Sequence, residues 1–485
     1  VGRQRASEKE VKERIRQLNS SPVRPDGEYV MYWAGANRRV ESNHGLLRAV
    51  ELANELGLPV LYYEGVTCAY PHANDRLHTF LLEGVPETAR RLKRLGIGYC
   101  FSLRRRMTDP DDTFFRMASR AACVVADDYP TYWPAKLNAE VPARLGVRYE
   151  VVDSSCIVPM SLLEKREYAA YTIRPKIHRL LGQYLEPCPE PRVRRRWQGP
   201  APEEHFEFRE EQIPAIVAEC EIDHSVPPSI SLRGSRTEAE ARLQLFLEKN
   251  LRRYAKERNQ PAAHATSRMS PYLHFGRISA LEIALAVKAY AREHRLIADE
   301  YLEELIVRRE LAFNFARHAA NPASLCNLPE WARATLLKHA KDPRTPCYKY
   351  AQFEQAQTHD ALWNACQKEM LLRGTIHGYY RMYWGKKIIE WSPTCQDALE
   401  TMIRIHDRWA LDGRDPNTYT NILWCFGLHD RPWQERAVFG SIRYMSLEGM
   451  KRKTNVEAYL REIAWLEQTG TDPFLSLTGQ PCASR

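Results

Sequence analysis

Between Glu28 and about Ser155, five short apolar runs (YVMYWAG, LPVLYYE, IGYCFSL, ACVVADD and VRYEVVD) are separated by segments of helical pattern, such as NHGLLRAVELANELG and NDRLHTFLLEGVPETARRLKRLG. No other feature of the chain limits its fold as much. Apolar strands buried on both faces, alternating with amphipathic helices, mean βαβ units and a parallel sheet. Ligands of such a sheet bind beyond the carboxyl ends of its strands, where Glu64, Asp127 and Asp128 are expected to project. Gly96-x-Gly98 precedes a strand instead of following one, so it is not a dinucleotide fingerprint.

The pattern then changes. A connector follows, and its Pro-rich, basic segment EPCPEPRVRRRWQGPAP reads as an exposed loop, with Arg194, Arg195 and Arg196 a solvated charge run. Helix resumes at Thr237, where Thr237-x-x-Glu240 is expected to form a capping box. Leu243, Phe246, Leu247, Leu251 and Tyr254 follow at helical spacing, which puts Tyr254 on the buried face. From there to about Gln468 helix dominates. The expected organisation is a helical extension over 1–25, an α/β domain with a Rossmann-like parallel sheet over 26–160 and a connector over 161–235. An all-α domain over 236–470 and a tail over 471–485 complete it.

Several classes are disfavoured. No apolar run approaches the roughly 18 residues a membrane span needs, and VGRQRASEKEVKERIRQ is polar and helical in pattern, not a secretory signal. The twelve cysteines include no C-x-x-C pair, so neither a metal site nor a disulfide framework is expected, and a reducing intracellular compartment, cytoplasmic or nuclear, fits best. A net charge of +9 is compatible with a polyanionic partner without requiring one.

The stretch from His359 to Trp433 holds six of the eleven tryptophans: Trp363, Trp384, Trp391, Trp409, Trp424 and Trp433. Trp384 and Trp391 share one helical face, roughly 10 Å apart along the axis. That helix should end near Ser392-Pro393, because proline disfavours helix for its predecessor. Core filling is the ordinary use of such residues.

The wording is nevertheless particular. YYRMYWGKKIIEW followed by LDGRDPNTYTNILWCFGLHDRPW resembles the class II branch of the photolyase/cryptochrome flavoproteins, which repair cyclobutane pyrimidine dimers. LEELIVRREL (302–311), SPYLHFGRIS (270–279), YTIRPKI (171–177) and YVMYWAGANRRVESNHGLLRA extend the resemblance over nearly the whole chain. It implies an α/β domain of antenna type, an all-helical FAD-binding domain, and a monomeric lyase acting on UV-damaged DNA. In that reaction an electron from photoexcited reduced FAD splits the dimer and then returns.

Residue by residue, the resemblance implies that Tyr254, Thr266, Ser267 and Ser270 hold the FAD pyrophosphate, with Arg268 and Met269 between them departing from the usual class II residues. The hydroxyls also suit a plain N-cap cluster before a helix near Pro271. Arg381 and Asp412 match an ion pair beside the isoalloxazine, and Asp415 and Asn417 face the cofactor. Trp384, Trp363 and Trp391 match electron-transfer tryptophans. Glu304, Met382 and Trp424 belong to the lesion pocket, and Arg431, Arg443, Lys451, Arg452 and Lys453 are candidates for phosphate contacts. His406 stands where class II members usually present Asn to flavin N5; it shares helical spacing with Leu399, Met402 and Trp409 and should face inward.

A deazaflavin antenna is the usual companion in this class. AGANRR (34–39) and DDYPTYWP (127–134) depart from its pattern, so its presence stays open. Two other readings remain: a cryptochrome-like photoreceptor or divergent homologue with altered flavin chemistry, and a helical nucleic-acid-binding protein without light chemistry. A long C-terminal tail would favour the sensor, and no such tail follows Trp465.

Overall fold

A computed structural model of the chain describes residues 12–473. Strands β1 (Ile15–Gln17), β2 (Tyr29–Trp33), β3 (Val60–Thr67), β4 (Gly98–Arg104), β5 (Ala121–Asp127) and β6 (Arg148–Val152) form one sheet in the order β1-β6-β5-β2-β3-β4. β2 to β6 pair in parallel, and β1 runs antiparallel to β6. β5 is buried along its whole length, as a central strand covered on both faces must be. The strand order reverses between β2 and β5, which makes their carboxyl ends the switch point where such sheets bind ligands.

The principal helices are, in chain order, α1 (His44–Leu56), α2 (Ala170–Tyr184), α3 (Arg236–Leu245), α4 (Ser270–His274), α5 (Arg309–His318), α6 (Ala361–Arg373) and α7 (Gly378–Trp391). They continue with α8 (Cys395–Trp409), α9 (Pro416–Cys425), α10 (Leu447–Lys453) and α11 (Val456–Thr469). The architecture is an α/β sheet domain followed by a helical one. None of the described helices is long and apolar enough to cross a membrane.

Four expectations are corrected. Residues 15–17 of the expected helical extension form the edge strand β1, and Arg14 behind it donates to the carbonyls of Asp153, Cys156 and Ile157. Covering the exposed edge of β6 outweighs a local helical preference; residues 1–11, and 474–485 of the expected tail, lie outside the described residues. The carboxylates at the strand ends are occupied within the fold. Asp127 accepts from the Tyr32 hydroxyl and the Ala36 and Asn37 N–H groups, Asp128 bridges Arg16 and Arg317, and Glu64 takes the Tyr99 hydroxyl beside Arg38.

Further on, the connector is more than a link. It contains α2, which buries Ala170, Ile173, Ile177 and Tyr184 in a helical core, while the Pro-rich run stays irregular. Lastly, α3 is capped by Ser235, whose hydroxyl accepts from Glu238 N at 3.1 Å. Thr237 lies inside the first turn, where its N–H and its hydroxyl both donate to Glu87 across the domain contact.

That contact fixes the helical domain against the sheet. Arg76, 1% exposed, donates to the carbonyls of Met370, Leu371, Trp409 and Pro227. One sheet-domain guanidinium thereby supplies a donor to the C-terminal carbonyls of both α6 and α8, Met370 O sharing it with the Gly374 N–H. Gly276 (φ 66°) lies so close to the β2 loop that a Cβ would stand 2.2 Å from Ala36 O, so only glycine fits.

Candidate active site

The centre of the helical domain is built by α6, α7, α8 and α9. α7 ends at Trp391 before Ser392-Pro393, as its sequence demands. Trp363 on α6 and Trp384 on α7 stack nearly parallel, 7° apart with centroids separated by 6.1 Å, and Trp391 meets Trp363 edge-on at 6.2 Å. Their indole N–H groups are occupied: Trp363 donates to Trp384 O and Trp384 to Gln367 Oε1, both at 2.9 Å. Trp391 is itself buried, and the row reaches the surface through the rings of Tyr348 and His359, 5.7 and 4.9 Å from it.

At its inner end the row meets His406, edge to face with Trp384 at 5.0 Å. His406 points inward from α8, as its spacing predicts, and is 1% exposed. Its Nδ1 lies 3.2 Å from Met402 O, which makes Nδ1 the protonated nitrogen and leaves Nε2 a bare acceptor. Burial, reinforced by the charge of Arg381, lowers its pKa to about 3, so the ring is neutral.

Arg381 and Asp412 pair at 2.9 Å. Burial alone would raise the Asp412 pKa, but Arg381 and the Ser270 hydroxyl bring it below the ordinary range, so the pair is ionic. Asp415 caps α9, accepting from Asn417 N and Nδ2 at 2.8 Å each, and also takes the Tyr129 hydroxyl at 2.6 Å. Asp415 and Asn417 thus bond each other and shape the turn.

The 264–270 loop packs above this centre. Ser267 accepts the Tyr301 hydroxyl at 3.1 Å, Thr266 is half-buried and Ser270 is exposed. Met269 is a core residue, so only its backbone can serve a ligand. Tyr254 is buried against Tyr301. Arg268 (φ 54°) reaches Glu369 at 3.2 Å.

Glu369 was not singled out from the sequence. It is fully buried and accepts from Arg268, Arg373, the Tyr459 hydroxyl and His377 N; despite burial, those partners hold its pKa down to about 2. Only its place on the inner face of α6 could have marked it. This network ties the loop to α6 and to the start of α7, where His377 is the N-cap.

Arg268 Nε, Thr375 Oγ1, His377 Nε2, Arg381 Nε and His406 Nε2 are buried without a hydrogen-bond partner among the described residues. Bare donors and acceptors in a closed interior are costly unless something polar completes them. A heteroaromatic ring system with a pyrophosphate fits that set.

The remaining predicted residues lie toward the surface. Glu304 pairs with Arg258 at 2.7 Å, Met382 is half-buried against the helical core, and Trp424 is half-exposed near the end of α9. Arg431 and Arg443 flank the exposed Trp433 ring at 4.3 and 5.0 Å. Lys451, Arg452 and Lys453 are exposed in the last turn of α10. Among the described residues no cluster of metal-ligand type occurs. In the sheet domain, the carboxyl ends of the strands open into a cleft of about 1120 Å³, lined by Trp33, Tyr63, Phe114, Trp133, Arg38 and Arg104 among others.

The chain is similar to known proteins over most of its length. Residues 30–192 match the family described as DNA photolyase. The chain is 38% identical over 459 residues to a deoxyribodipyrimidine photo-lyase of Methanothermobacter thermautotrophicus, covering 94% of this chain and 98% of that one. It is 36% identical to one of Arabidopsis thaliana, covering 89% and 88%. A solved archaeal photolyase from Sulfolobus tokodaii, with two FAD molecules, shares the fold with a TM-score of 0.65 at 14% identity, covering 93% of this chain and 96% of that one.

Proposed function

This chain belongs to the DNA photolyase family, and from that premise we infer that it is a deoxyribodipyrimidine photo-lyase, a flavoprotein that repairs UV-damaged DNA with light. The observation that carries the reading furthest is the buried row Trp391–Trp363–Trp384, which ends at bare polar atoms on His406 and Arg381. When bound, FAD supplies the light-excited electron donor that opens the cyclobutane ring.

The chain's own residues divide the remaining work. Thr266, Ser267, Ser270 and Tyr254 hold the pyrophosphate side, and Arg268 is kept in place by Glu369. The Arg381–Asp412 pair orients the ring end, and the Asp415–Asn417 turn closes the cavity beside it. Indoles serve the electron relay because each can be oxidised transiently while packing as an apolar body. A dimer flipped out of the duplex meets Trp424, Met382 and Glu304; extrusion costs a few kcal/mol, less at a distorted step. Arg431, Arg443, Lys451, Arg452 and Lys453 contact phosphate, which sets affinity without reading sequence.

The finer reading adds an antenna. A deazaflavin-type chromophore suits the cleft at the sheet's switch point, whose aromatic walls and guanidinium groups match a planar anionic ligand. We take the working unit to be a monomer in the compartment that holds the DNA. Reduced protein incubated with a dimer-containing oligonucleotide under blue light should restore thymine absorbance. Unchanged absorbance with full flavin occupancy would sink the repair reading.

A further inference from the structure

α2 presents a face that the rest of the described chain leaves open. Ile173, Ile177 and Tyr184 turn inward, and Tyr171, Arg174 and His178, spaced i, i+3 and i+7, line the other side. Tyr171 is 64% exposed and Tyr168, just ahead of the helix, 48%; their rings meet edge-on at 6.3 Å. Tyrosine rings are amphipathic and usually cover apolar surface, so two left side by side in solvent point to a partner. Lys165, Arg166, His178 and Arg179 stand exposed around them.

Two contacts tie this face to the walls of the lesion pocket. His429, in the turn after α9, donates through Nδ1 to Tyr168 O at 2.5 Å, and α9 carries Trp424. On the other side Arg174 binds Glu303 with both prongs, at 3.0 and 2.7 Å, and Glu303 is the neighbour of Glu304. The face therefore borders both elements expected to enclose the dimer.

Building on the repair-lyase reading, we propose that Tyr168 and the exposed face of α2 dock the sugar–phosphate backbone of the duplex flanking the dimer. Charge complementarity carries the choice of partner. Lysine, arginine and tyrosine hydroxyl are all donors to phosphate oxygens, and such contacts fix register without reading bases. From residue 171 to 178 the helix rises about 10 Å, enough to follow roughly three steps of one strand. Arg174, already neutralised by Glu303, positions the helix against the pocket wall.

The test compares wild type with Tyr168→Ala/Tyr171→Ala and Lys165→Glu/Arg179→Glu, all loaded with flavin and checked for unchanged photoreduction. Binding is measured to a dimer dinucleotide, which reaches the pocket alone, and to the same dimer within a long duplex over a range of salt. Dinucleotide affinity should stay at the wild-type value in both variants. Duplex affinity should fall about tenfold, and in the charge variant the salt dependence should become shallower by about two contacts. Wild-type duplex affinity and salt slope in the charge variant would overturn the docking face, as would equal losses for dinucleotide and duplex. Wild-type protein that binds neither form would overturn the repair reading itself, a failure distinct from loss of the flank contact.

Discussion

Trp384 and His406 meet edge to face with centroids 5.0 Å apart at 80°, so the inner end of the tryptophan row rests on an imidazole whose outer nitrogen has no partner among the described residues. An edge-to-face pair sets the partly positive rim of one ring against the face of the other, and the neutral imidazole keeps the contact apolar. The row is therefore contiguous with the buried polar atoms proposed to meet the cofactor.

That continuity sets the first prediction. Trp363→Phe and Trp391→Phe should each block photoreduction of oxidised flavin, while chemically reduced variants still repair. Transient absorption after a blue flash reads the loss directly. Photoreduction at the wild-type rate in both variants would return these residues to simple core packing.

Asp412→Ala should purify with little flavin. It removes the carboxylate that Arg381 faces and strands a largely buried guanidinium, at a cost of about 3–5 kcal/mol. The ratio of absorbance near 450 nm to that of protein measures occupancy, and an unchanged ratio would remove the pair from the cofactor site.

Trp424→Ala should weaken binding of dimer-containing DNA, because base–aromatic stacking is worth roughly 1–3 kcal/mol. Undamaged duplex should bind about as before. Equal losses on damaged and undamaged DNA would place Trp424 outside the lesion pocket.

Arg76→Met tests the joint between the domains. The substitution leaves the Leu371 and Trp409 carbonyls, at the ends of α6 and α8, without their guanidinium donor, which should cost about 3 kcal/mol. The urea midpoint should drop accordingly, and flavin retention should fall with it because α6 and α8 carry residues of the proposed site. A midpoint equal to that of wild type would mean that water replaces the guanidinium.

The parts that were legible in the sequence are those in which local pattern and tertiary role coincide. The five parallel strands show as apolar runs because both of their faces are covered, and α7 stops where Pro393 requires it. His406 could be turned inward from spacing alone. β1 could not be found, because three residues become a strand only when the β6 edge is there to pair with. The Ser235 cap was missed for a similar reason: Thr237 is equally good locally and is taken by Glu87 from far along the chain. Glu369 and Arg373 read as charged positions on a helix, and only packing reveals that they are buried and shared with Arg268 and Asp472.

The last prediction concerns the charge state of His406. Its surroundings pull in opposite directions: burial, Arg381 and Arg414 disfavour the imidazolium, whereas Asp412 and the Met402 carbonyl favour it. Burial wins and places the folded pKa at about 3, below the ordinary value of about 6.5. The sign follows from proton uptake. Between those two values the unfolded chain binds a proton that the folded chain refuses, so folding stability must rise with pH across that window and be lost as pH falls toward 3. His406→Asn removes the titrating group while keeping a polar side chain of similar reach. Urea unfolding from pH 7 down to pH 4 should therefore show wild type losing stability faster than the variant, the gap widening to a few kcal/mol. Between pH 7 and 9 the two should run parallel, and flavin photoreduction there should not titrate at this residue unless an anionic cofactor raises its pKa. Parallel stability curves throughout the acid range would show that water reaches the imidazole and that His406 does not face a closed cavity.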